Sequence, residues 1–90
     1  MTRPGFEVVF TATARRDLQR IPPRIVPAII EFAFGDLAAA PFRVGKPLAR
    51  ELSGYYGARR GPYRLIFEIE QEALRVNILR VAHRGEVYRH

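Results

Sequence analysis

The chain has 90 residues, 48% of them hydrophobic, and a formal net charge of +6 at pH 7. That apolar share supports one small core over residues 1–90 and argues against disorder. The absence of cysteine excludes disulfides and a thiolate zinc site, and with only His83 and His90 to offer imidazole a metal enzyme is not expected.

Phe6 to Phe10 alternates, with Phe6, Val8 and Phe10 on one side, and reads as a first strand. Thr11 or Thr13 then caps a helix in which Ala14, Leu18 and Ile21 line the core face. Arg15, Arg16, Asp17, Gln19 and Arg20 fall on the solvated remainder. Pro22-Pro23 ends this helix and opens a second, expected from Pro23 to about Ala39, with Ile25, Ile29, Phe32 and Leu37 on its apolar stripe. Pro27 sits too far inside that span, so a kink or a later start is expected. Pro41 to Pro47 reads as loop and Ser53-Gly54 as a turn. Tyr55–Arg59, Tyr63–Glu70 and Leu74–Val81 read as three strands joined by short reversals. The expectation is an α+β fold of order βααβββ, with an antiparallel sheet covered on one face by a two-helix hairpin. No apolar run approaches the roughly 18 residues of a membrane span, and no export signal opens the chain. A cytoplasmic protein without membrane contact is expected.

The positive charge is concentrated. Residues 1–42 hold five Arg and four acids, whereas 43–90 hold ten Lys or Arg and five acids. Fourteen of the fifteen cations are Arg, whose planar fork of donors fits phosphate oxygens. A solvated basic face is the plain alternative to a polyanion-binding surface.

The order βααβββ, the segment LSGYYGARRGPYRLIFEIE and the ending RVAHRGEVYR resemble the RelE/ParE superfamily of bacterial toxins, and the RelE branch most. The resemblance runs from Phe6 to Arg89. It implies a RelE-like toxin domain and a ribosome-dependent endoribonuclease that cuts mRNA in the decoding site, beside 16S rRNA. It also implies a cognate acidic antitoxin, with DNA binding only as the complex. By the same resemblance, Arg64 matches the strand arginine on the scissile phosphate, and Arg84 a second arginine for phosphate or leaving-group stabilisation. Tyr88 matches a tyrosine that stacks on or orients the base, and Arg59 a basic position on the preceding strand. Gly57 stands where many members carry Lys or Arg. Either Lys46, Arg50 or Arg60 takes over that charge, or activity is weak.

RNA is cleaved when its 2′-hydroxyl attacks the adjacent phosphate, a reaction that positioning and charge stabilisation accelerate without a metal or cofactor. Arg64 and Arg84 suit the stabilising role because guanidinium stays protonated. His83 is the internal side-chain type that titrates near neutral pH and is the candidate for proton transfer. Arg43, Lys46, Arg50 and Arg60 are candidates for holding backbone phosphates. Each has a plainer reading: Arg64 paired with Glu68, Arg84 with Glu86, His83 as an exposed hinge, Tyr88 as tail packing. Two other functions remain open on this fold, a ParE-like gyrase poison and a non-catalytic antitoxin-binding, autoregulatory module.

Overall fold

The structure is a computed structural model that describes residues 5–83 and 85. Strand β1 (Glu7–Phe10) leads into helix α1 (Ala12–Gln19). Thr11 is the cap: its side chain accepts the Ala14 amide at 3.2 Å, satisfying one orphan donor of the first turn. Helix α2 starts at Val26 rather than Pro23, because residues 23–25 form a turn that leaves Pro27 at the second helical position, where no amide is needed. It runs to Phe32 and continues through a π-helical stretch, Ala33–Leu37, to Ala39. The wider π turn has a cause in the sequence. Ile29, Ala33 and Leu37 recur every four residues, which would drift around a regular helix of 3.6 residues per turn; the π stretch cancels the drift, and all three are fully buried.

The segment expected to be loop holds two short elements, helix α3 (Pro41–Val44) and strand β2 (Lys46–Pro47). Pro41 opens α3, where its missing amide costs nothing. A 3₁₀ turn at Arg50–Leu52 precedes β3 (Tyr56–Arg60), β4 (Tyr63–Glu70) and β5 (Arg75–His83). The five strands form one sheet in the order β1-β5-β4-β3-β2. Strands β3 to β5 are antiparallel as expected, β2 adds to β3 antiparallel, and β1 adds to β5 in parallel, with Val8 opposite Val76.

One face of the sheet carries the core. Leu65, Phe67, Val76 and Ile78 are fully buried there against Ala14, Ile29, Ala33 and Leu37 from the helices. The alternation of β4 follows from this: Tyr63, Leu65 and Phe67 point inward, so Arg64, Ile66 and Glu68 point outward. Tyr56 stacks on Phe67 with ring centroids 6.0 Å apart, so it fills the sheet rather than awaiting a base.

Gly45 joins α3 to β2 and fixes where Lys46 enters the sheet. A Cβ there would lie 2.6 Å from Cζ of Phe67 and 2.9 Å from the Pro41 carbonyl oxygen. Neither the buried ring nor the backbone can yield cheaply. Gly45→Ala is therefore expected to cost about 1–3 kcal/mol, read as a lower midpoint in urea with an unchanged slope. A midpoint equal to wild type would show that α3 gives way without loss.

Candidate active site

The β3–β4 hairpin turns at Gly61, whose φ of 61° favours glycine. Its register sets Arg59 directly opposite Arg64. Opposed residues of an antiparallel pair share a face, with Cβ atoms about 4.5–5.5 Å apart, and like charges so placed destabilise the pair. One row further along, Lys46 of β2, Gly57 of β3 and Ile66 of β4 stand in line on the same outer face. Glycine at the middle of that row leaves room for the stem of Arg64: a Cβ at 57 would lie 3.6 Å from Cδ of Arg64 and 3.2 Å from Cδ2 of Leu48. The result is a cavity of about 350 Å³ lined by Lys46, Leu48, Gly57, Arg59 and Arg64, with Val44 at its edge. Three cations from three strands meet there.

The acids of this face lie toward its other end. Glu68 accepts a hydrogen bond from Asn77 Nδ2 at 3.0 Å, and Asn77 also donates to Glu70. Arg75 pairs with Glu7 at 3.3 Å and with Glu70 at 3.7 Å. Glu68, Glu70 and the Arg75 between Glu70 and Glu7 thus lie at the opposite end of this face from Lys46, Arg59 and Arg64.

Other expected site residues are placed differently. His83 stands opposite Tyr63, its ring 5.4 Å away and edge-on. Tyr63 points to the helix side, away from Arg64, so His83 is not brought to the arginine cavity. It lines a second cavity of about 460 Å³ with Asp17, Arg20, Tyr63 and Arg80. Arg60 is the register partner of Tyr63 and takes that side too. Arg43 on α3 and Arg50 in the 3₁₀ turn are exposed, and neither lines the cavity. Arg84 and Tyr88 lie outside the described residues.

Sequence reasoning put Asp17 on the solvated side of α1. It is instead the buried charged residue of the core, 6% exposed, with its carboxylate on Arg80 Nε at 2.8 Å and on the Val81 amide at 2.9 Å. A signal was present: Ala14, Asp17, Leu18 and Ile21 share one helical stripe, and an acid on an apolar stripe needs a partner. Among the described residues, no three His, Cys, Asp or Glu side chains gather as a metal-binding group, and no helix is long and apolar enough to cross a membrane.

A five-stranded sheet with helices packed on one face is the fold of RelE-like toxins. Residues 8–88 match the family described as ParE toxin of type II toxin-antitoxin system, parDE. The chain belongs to this RelE/ParE family of type II toxin-antitoxin toxins. It is 60% identical to Toxin RelG of Mycobacterium tuberculosis strain H37Rv over 84 residues, 93% of this chain and 97% of that one. Toxin RelE of the same strain is 48% identical over 84 residues, 93% of this chain and 87% of that one. In the crystal structure of the toxin-antitoxin complex RelBE2 from M. tuberculosis, a chain of 59% identity superposes with a TM-score of 0.86, covering 89% of this chain and 99% of that one. The E. coli RelBE complex shares the fold at 15% identity, with a TM-score of 0.68 over 87% of this chain and 95% of that one.

Proposed function

We propose that residues 1–90 form one RelE-type toxin domain, a cytoplasmic ribosome-dependent endoribonuclease that cleaves mRNA in the decoding site. The observation that carries the reading is the Arg59–Arg64 pair facing across β3 and β4, with Lys46 in the same cavity. Two like charges held side by side are poorly placed for stability and well placed for an anion between them. In the reaction, the 2′-hydroxyl gives up its proton to water as it attacks the adjacent phosphorus, and the leaving 5′-oxygen takes a proton from water, so that a 2′,3′-cyclic phosphate and a 5′-hydroxyl remain. Arg64 and Arg59 offset the charge that grows on the non-bridging oxygens, and Lys46 holds the strand beside them. Guanidinium is a poor proton acceptor, so the chemistry rests on positioning and charge, with no metal or cofactor, and the ribosome holds the message in line. Arg84 and Tyr88 would add a further phosphate contact and a stacking surface. An acidic antitoxin, as in the complexes its relatives form, would silence the toxin by covering the arginines, and the pair would bind DNA together.

The ParE description of the matching family favours a second reading, a gyrase poison on the same fold. Inducing the chain without an antitoxin, then mapping transcript ends with and without translation, separates the readings. New ends confined to translated messages support the endonuclease. Intact transcripts with DNA-damage signalling support the gyrase poison, and a folded but harmless chain supports a binding module.

A further inference from the structure

We propose that Asp17 is a positioning residue for the arginine cavity, acting through a bulge in β5. The proposal rests on the reading of Arg59 and Arg64 as the phosphate-holding pair. In the β4–β5 register, Phe67 stands opposite Ile78 and Ile66 opposite Arg80, so Leu79 is passed over and β5 carries one extra residue. A bulge of this kind reverses the alternation of everything beyond it. Val76 and Ile78 face the helices before it, and Val81 faces them after it. The reversal sets Ala82 opposite Arg64 and His83 opposite Tyr63. In an unbulged strand, continuing the pairing from Phe67 and Ile78 would set Val81 against Arg64 and turn Arg80 toward the core opposite Leu65. The bulge therefore sets alanine rather than valine directly opposite Arg64 in the ladder.

Helix α1 holds this bulge at both ends. Thr11 donates its hydroxyl to the Ile78 carbonyl at 2.9 Å and its amide to the same oxygen at 3.0 Å. Asp17 takes the other end: Oδ2 accepts from the Val81 amide at 2.9 Å and from Arg80 Nε at 2.8 Å, while Oδ1 accepts from Arg80 Nη2 at 3.4 Å. Its carboxylate is nearly buried whereas the Arg80 side chain is half exposed. An apolar residue at 17 would serve the core as well, since buried ion pairs seldom exceed a good hydrophobic contact in stability. What an apolar residue cannot do is accept the Val81 amide and so hold the strand just past the extra residue.

The test compares Asp17→Ala with Asp17→Asn, which keeps an acceptor for the Val81 amide, in cleavage of ribosome-bound message. Asp17→Ala is expected to lower the maximal rate about 10- to 100-fold with little change in KM, and to speed amide exchange at Val81 and Ala82. Asp17→Asn should recover most of both. A rate that follows only the folded fraction, or an Asn variant no better than Ala, overturns the proposal. Should Asp17→Ala not fold, Ala82→Val crowds Arg64 with the carboxylate in place, and a wild-type rate there overturns it equally. If wild type leaves translated messages intact, the endonuclease reading fails by itself. Exchange at Val81 and Ala82 then decides the role of Asp17, and exchange unchanged by Asp17→Ala overturns it.

Discussion

Arg59→Gln and Arg64→Gln should each lower cleavage of translated message about 10²–10³-fold, the loss expected for one preorganised donor to a developing oxyanion. Arg59→Gln should at the same time make the folded chain more stable. Arg59 and Arg64 stand directly opposite each other across the hairpin, and relieving a like-charge pair of this type returns about 0.2–1 kcal/mol, a rise of a few degrees in Tm for a fold of this size. Opposite signs for activity and stability are what a binding site produces and a structural salt bridge does not. Cleavage and thermal melts on the same preparations check both. If Tm and cleavage fall together in Arg59→Gln, the arginine pair is held by something that stabilises it, and its role in the site must be reassigned.

Phe67→Ala should have the largest effect on folding. Phe67 is fully buried at the centre of β4, stacks on Tyr56, and has the Gly45 backbone against its ring edge. Removing a buried phenyl ring costs about 3–5 kcal/mol. A fold of this length holds only about 5–15 kcal/mol in total, so about a third of the margin or more goes. The variant should be partly unfolded at 37 °C, measured by loss of near-ultraviolet circular dichroism and a urea midpoint cut by about a third or more. Phe67→Leu, which keeps more of the volume, should recover most of the loss and so attributes it to the cavity. A wild-type midpoint for Phe67→Ala would mean that α3 and β2 collapse into the gap.

Much of this fold was legible because its signals are local. The alternation of Tyr63 to Phe67, the paired prolines at 22 and 23 and the Gly61-Pro62 reversal each act within a few residues, and together they order the elements. The parallel pairing of β1 with β5 joins segments nearly 70 residues apart and leaves no local mark. Helix α3 and β2 were masked by the prolines and glycine of 41–47, which suit a loop and equally suit a one-turn helix opened by Pro41 and closed before Gly45. The Arg59–Arg64 pair could be read from the hairpin, since its short turn fixes the register. His83 could not: simple alternation along β5 leaves out the extra residue at Leu79, and a one-residue error sends a side chain to the other face. Asp17 was hidden for a different reason, since its place on the apolar stripe of α1 is explained only by the partners that β5 supplies.

The idea underlying the site is that Arg59 and Arg64 act on one phosphate, and a double-mutant cycle on cleavage measures that directly. Rates for Arg59→Gln, Arg64→Gln and the double variant, on the same ribosome-bound message, give the coupling between the two side chains. If both hold the same phosphate, the double variant should be little slower than the slower single one, because residues acting as a unit lose their effect together. Losses that simply multiply would place the two guanidiniums on separate phosphates and contradict a shared site.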